Sequence, residues 1–150
     1  MPQSLTKIYI HIIFSTKKRI PVLDPAISSE LYPYLATAFK SCDSIPIKIG
    51  GHRDHVHVFG LLTKNNALTK VIEVIKKDSS KWIKTKGAQF KKFSWQVGYA
   101  AFSVGENHKD TLIKYIEDQE KHHKQLLYKD EVIKFLKKYK VDYNEKYLWG

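Results

Sequence analysis

The stretch from Ile47 to Leu62 constrains this chain more than any other. Ile47, Ile49, Val56, Val58, Leu61 and Leu62, interrupted by Gly50-Gly51 and the polar pair Arg53-Asp54, predict two short strands joined by a tight turn. His55 and His57 open the second strand, two residues apart. Successive strand side chains point to opposite faces, so the two imidazoles project together while Val56 and Val58 enter the core on the other side. Two ring nitrogens placed this way form half of a divalent-metal site. Taken alone, the same spelling also fits two amphipathic surface residues. A third ligand and a group that does chemistry must come from elsewhere in the chain. His52 sits at the turn and reads as solvated, while His11 and Asp54 add possible donors without fixing the count.

The remaining elements follow from periodicity. Lys7 to Ser15 is β-branched and aromatic on both faces apart from His11, which predicts a central strand covered on both sides. Asp24-Pro25 supplies an N-cap and a first-turn proline, and Ile27, Leu31, Leu35 and Phe39 recur at helical spacing, with a kink or a later start expected at Pro33. A second helix is expected after an Asn66 cap, with Leu68, Val71, Ile72, Ile75 and Trp82 on one face. Ser94 to Val104 reads as a strand despite Gly98. A third helix is expected from about His108 to Leu127, then a short one from Glu131 to Lys138 and an aromatic tail whose Tyr139, Tyr143, Tyr147 and Trp149 anchor it to the core. The first six elements give the βαββαβ order of ferredoxin-like and RRM-like folds. The expected class is α+β, an antiparallel sheet with helices on one side and an added C-terminal catalytic helix, in one domain spanning residues 1–150.

Charge narrows the partner. The formal net charge is +11, from 26 Lys+Arg against 15 Asp+Glu, which suits a polyanion such as nucleic acid. Lys64, Lys70, Lys76, Lys77, Lys81, Lys84, Lys86, Lys91 and Lys92 outnumber Glu73 and Asp78 around the second helix, marking a surface for a nucleic-acid backbone without sequence readout. Lys17, Lys18, Arg19 and Arg53 extend the set of candidate contacts beyond Lys76, Lys77 and Lys81. No apolar run approaches the roughly 20 residues of a membrane span, and no signal-peptide core follows Met1, so a cytoplasmic protein is expected. The single Cys42 fits a reducing compartment.

Leu112, Ile116, His123 and Leu127 define the expected inward stripe of the third helix. Tyr115 and Gln119 lie one turn apart at its edge, so a phenol and a carboxamide converge beside the sheet. Gln119 offers an oxygen ligand to a hard cation, and Tyr115 a nucleophile that survives as an ester. Spacing leaves Glu117, Asp118, His122 and His123 open as third ligands.

These motifs together resemble the HUH single-tyrosine transposases of small insertion sequences, the group that moves DNA as a single strand. The resemblance is carried by Asp54-His55-Val56-His57, by Trp95 to Val104, and by Tyr115-Ile116-Glu117-Asp118-Gln119 with His122-His123 after it. Ile8 to His11 and Tyr143 to Trp149 also look like the family. Related proteins associated with repeated palindromic DNA share the motifs. The resemblance implies Mg²⁺ or Mn²⁺ on His55, His57 and Gln119, with Tyr115 as nucleophile forming a 5′-phosphotyrosine. It also implies single-stranded DNA with hairpins at the element ends as substrate, a homodimer, and action at the nucleoid. Two other classes fit parts of the sequence: a non-catalytic RNA-binding module, which needs no metal, and a replication-initiator nickase, which usually carries more domains or a third histidine. A metal-dependent phosphodiesterase without a covalent intermediate would survive Tyr115→Phe.

Overall fold

The computed structural model describes residues 2–119 and 127–150. Its elements are β1 (Tyr9–Ser15), α1 (Pro25–Ser41), β2 (Ile45–His52), β3 (His55–Leu61), α2 (Leu68–Lys84), β4 (Ala100–Val104), α3 (Lys109–Glu117), α4 (Tyr128–Lys138) and α5 (Glu145–Leu148). The four strands form one antiparallel sheet in the order β2-β3-β1-β4, the α+β arrangement expected. β1 lies inside the sheet and all seven of its residues are buried, as an apolar run on both faces requires.

The sheet separates two layers of different chemistry. Ile10, Ile12, Phe14, Val56 and Val58 meet Leu31, Leu35 and Phe39 of α1 and Val71 and Ile75 of α2 in an apolar core. The alternate residues of β1 and β3 lie on the other face, where α3 contributes Leu112 and Ile116 and α4 contributes Val132 and Leu136. His11, His55 and His57 belong to this second face and are fully buried. α3 approaches β2 closely because Gly50 has no side chain: a Cβ there would sit 2.9 Å from Ile116 Cγ2 and 3.1 Å from its carbonyl oxygen.

Several boundaries differ from the sequence expectation. α1 begins at Pro25, where Asp24 Oδ1 accepts from Ile27 N at 3.1 Å, and carries Pro33 inside it without a later start. Pro33 is exposed, so water can satisfy the carbonyl its missing N–H leaves open. The N-cap of α2 is Ala67, not Asn66, and no side chain caps it. β4 starts only at Ala100, because Gly98 takes φ 97° and turns the chain out of the strand path. Trp95 survives as a single bridge to Thr16. α3 stops at Glu117 with Asp118 as its C-cap, and Leu127 is 72% exposed at the start of α4 instead of facing inward. His122 and His123 lie outside the described residues. In the tail, Tyr139 stacks on Phe102 and Trp149 packs beside Tyr128, whereas Tyr147 is 70% exposed instead of buried against the core.

Candidate active site

Alternation along β3 puts His55 and His57 on the face covered by α3 and α4, and each ring is held from behind. His55 Nδ1 donates to Asp54 Oδ1 at 2.7 Å. His57 Nδ1 lies 2.8 Å from His11 Nε2, which β1 supplies from the adjacent strand. A metal-ligating histidine characteristically uses its second nitrogen in this way, which fixes the ring and aims the other nitrogen. Both Nε2 atoms therefore point at the same place.

Glu131 occupies that place. Its Oε1 accepts from His57 Nε2 at 3.1 Å and lies 3.2 Å from His55 Nε2. Its Oε2 accepts from the Tyr115 hydroxyl in a short hydrogen bond and from Gln119 Nε2 at 3.1 Å. Gln119 Oε1 accepts from His55 Nε2 at 3.0 Å. Histidines from β3, the phenol of α3, the carboxamide just after it and the carboxylate of α4 thus converge. Glu131, His55 and His57 are fully buried, and Gln119 almost so.

The electrostatics follow from this closure. Burial opposes a charge on His55, but the carboxylates of Asp54 and Glu131, one at each ring nitrogen, outweigh it and raise its pKa to about 9. Burial and the Glu131 charge push the Tyr115 phenol upward, making it a hydrogen-bond donor at neutral pH. His11, buried and beside His57, is pushed well below the ordinary histidine value and stays neutral. A cavity of about 180 Å³ opens on Tyr115, lined also by Thr111, Lys134, Phe135 and Lys138.

The donor set suits a divalent cation. Ligand atoms of His55, His57 and Glu131 lie within 4.8 Å of one another. Two imidazole nitrogens, a carboxylate oxygen and the Gln119 amide oxygen form a mixed N/O set of the kind that first-row divalent ions accept.

The structure brings together His55, His57, Tyr115 and Gln119, the four residues the resemblance singled out. Of the other candidate ligands, Glu117 is exposed with a carboxylate oxygen 3.5 Å from Lys48 Nζ, and Asp118 ends α3. Glu131, Lys134 and Lys138 were not recognised as site residues from the sequence, and His11 only as one possible donor among several. The legible signal for Glu131 was a carboxylate within an apolar stripe of Tyr128, Val132, Phe135 and Leu136. His11 gave the corresponding signal on β1.

The basic candidates divide. Ser15 pairs with His55 across the sheet, so the turn carrying Lys17, Lys18 and Arg19 and the turn carrying Arg53 lie at the end of the sheet where His55 begins. Lys17, Lys18, Arg53, Lys77 and Lys81 are exposed. Arg19 instead donates to the Trp149 carbonyl at 3.3 Å. Lys76 is half-buried, donating to the carbonyls of Gln96 at 2.7 Å and Gly98 at 2.8 Å, and its burial lowers its pKa.

A family model described as "Transposase IS200 like" matches residues 4–119. Among solved structures, a transposase from Deinococcus radiodurans R1 superposes with a TM-score of 0.62 at 20% identity, covering 79% of this chain and 98% of that one. A REP-associated tyrosine transposase bound to a REP hairpin superposes with a TM-score of 0.61 at 12% identity, covering 84% of this chain and 74% of that one. No curated protein matches the sequence significantly.

Proposed function

Because this chain belongs to the IS200-like transposase family, and so to the DNA-processing enzymes, we propose that it cleaves and rejoins single-stranded DNA at insertion-sequence ends through Tyr115. The observation that carries this reading is the convergence on Glu131: nucleophile, two histidines and carboxamide meet at one buried carboxylate.

The Tyr115 oxygen attacks phosphorus, the bond from phosphorus to the 3′-oxygen breaks, and the products are a 5′-phosphotyrosine and a strand ending in a 3′-hydroxyl. Glu131 is placed to accept the phenolic proton, since Tyr115 already donates to it. The departing 3′-oxygen takes a proton from water. The ester conserves the energy of the broken bond, so a 3′-hydroxyl attacking it reverses the step on a new strand without ATP. His55, His57, Gln119 and Glu131 would hold Mg²⁺ or Mn²⁺, which when bound supplies Lewis-acid polarisation of the scissile phosphate. Lys134 and Lys138 flank the opening at Tyr115 and attract the phosphate toward it.

Exposed Lys17, Lys18, Arg53, Lys77 and Lys81 would follow the DNA backbone. A hairpin at each element end is the substrate favoured, in keeping with the hairpin bound by the REP-associated relative. Two ends require two cleavages, and with one nucleophilic tyrosine per chain a homodimer meets that need. In this structure the Tyr115 ring packs against His57 of its own chain, the arrangement that attack in cis would use.

Incubation with Mn²⁺ and labelled single-stranded DNA from the flanks of its own gene, resolved on a denaturing gel, tests the reading. A slow-migrating covalent adduct is expected with the unaltered protein and none with Tyr115→Phe. Cleavage that persists in Tyr115→Phe would overturn it.

A further inference from the structure

His11 is a polar residue where packing asks for none. It lies midway along β1, fully buried, against the rings of His57 at 5.0 Å, Phe135 at 5.1 Å and Phe102 at 6.4 Å. Its Nδ1 has no hydrogen-bond partner among the described residues. A phenylalanine would occupy this aromatic slot without the desolvation cost of an unpaired buried nitrogen. The other nitrogen, Nε2, lies 2.8 Å from His57 Nδ1.

We infer that His11 is a positioning residue for the cation site: its Nε2 accepts the His57 Nδ1 proton and thereby leaves the His57 Nε2 lone pair facing the ligand point. The inference rests on the reading that His55 and His57 hold a divalent cation. In the arrangement described here, His57 Nε2 carries a proton and donates to Glu131. A cation bound at Nε2 requires that proton to leave to solvent. The proton shared between the rings then passes from His11 Nε2 to His57 Nδ1, which keeps His57 neutral, and a proton from solvent replaces it at His11 Nδ1. A neutral His11 accepts at Nε2 only with its own proton on Nδ1, so the two rings change tautomer together. Asp54 performs the same service for His55 with a carboxylate. A neutral imidazole behind His57 holds that ring without adding a third negative group to a pocket that already contains Asp54 and Glu131.

The test separates orientation from folding. Mn²⁺ affinity is measured by calorimetry, and metal-free thermal stability by melting, for the unaltered chain, His11→Phe, His11→Gln and His55→Ala. Phenylalanine keeps the flat ring and removes the acceptor, whereas glutamine places an amide oxygen near the position of Nε2. Outer-shell partners of this kind are worth about 10–100-fold in metal affinity. His11→Phe is expected to weaken Mn²⁺ binding by that factor while its metal-free melting point stays close to that of the unaltered chain, and His11→Gln is expected to restore most of the loss. Imidazole ¹⁵N spectra of the unaltered protein with Mg²⁺ should show His57 and His11 both protonated at Nδ1. That measurement stands even where His11→Phe fails to fold. Undiminished affinity in His11→Phe, or a His57 proton remaining on Nε2 at saturating Mg²⁺, overturns the inference. If His55→Ala also binds Mn²⁺ normally, it is the cation reading itself that fails.

Discussion

The two faces of the sheet are built from the same strands with the same burial, yet they do opposite things. On the α1/α2 face, Ile10, Ile12, Phe14, Val56 and Val58 pack into one cluster of apolar side chains, so that face is held mainly by area removed from water and by close packing. On the α3/α4 face, the alternating residues include His11, His55 and His57, and the helices return Gln119 and Glu131 to them. Buried polar groups cost free energy unless every one finds a partner, and buried charges cost more. The difference shows how a period of two partitions labour: one residue in each pair secures the fold, and its neighbour builds a site the fold must tolerate.

The largest expected effect comes from breaking the comparison on its apolar side. Phe14 is 1% exposed and packs edge-on against Trp95. Phe14→Ala should cost about 3–5 kcal/mol in urea unfolding, while Mn²⁺ affinity in the remaining folded fraction stays unchanged. Glu131→Gln reverses the pattern: Mn²⁺ affinity and adduct formation fall sharply, and saturating Mn²⁺ no longer raises the unfolding midpoint. A Phe14→Ala protein that folds normally but loses metal would show that the faces are not separable.

How much of this was legible follows from the same division. Periodicity marked the strands and helices because each element has an apolar side to bury, and Asp24-Pro25 marked the start of α1 because a side-chain cap and a fixed φ act locally. His55 and His57 were visible as a pair because both sit on one strand. Glu131 was not, because its partners come from β3, α3 and the residue just after α3, and a glutamate next to Asp130 in the first turn of a helix looks like a dipole-compensating residue. The start of β4 was misjudged for a related reason, since Gly98 acts through a backbone angle; apolar spacing likewise gave no sign of the break after Glu117, and the part of the expected third helix at 120–126 lies outside the described residues.

A second effect acts on the polar face alone and depends on pH. The folded-state pKa of His55, about 9, lies above its ordinary value of 6.5. The protonated ring therefore binds its proton more tightly when folded, so its stabilisation is fully present below about pH 6.5 and is lost as pH rises through about 9. Urea midpoints of the metal-free protein should fall across that window, and the fall should be smaller in His55→Gln. A cation at Nε2 displaces the same proton, so Mg²⁺ binding should tighten toward pH 9 and release protons to buffer. Equal pH profiles for the two proteins would remove His55 as the source.

Gly50 carries a smaller effect, located where α3 lies on β2. Gly50→Ala places a methyl within contact distance of Ile116 and should cost about 1–3 kcal/mol. Displacing α3 also moves Tyr115, and a misplacement of about 1 Å is worth about 10²-fold in rate. Adduct formation should therefore fall further than stability alone explains. A rate that simply tracks the folded fraction would mean that Ile116 yields without carrying the helix.

The smallest effect separates two adjacent lysines of α2. Lys77 is exposed, whereas Lys76 donates to the carbonyls of Gln96 and Gly98 and so holds the segment between the Trp95 bridge and β4. Lys77→Ala should leave stability within about 0.5 kcal/mol and lower the slope of log affinity against log salt for single-stranded DNA by about 0.7, one phosphate contact. Lys76→Ala should leave that slope nearly unchanged and lower the unfolding midpoint, because two carbonyls lose a charged donor. Its ammonium also lies 5.4 Å from the centre of the Phe14 ring, so a double mutant with Phe14→Ala should cost less than the two single losses added together. Equal salt slopes for the two single variants would mean that Lys76 reaches phosphate in spite of its internal partners.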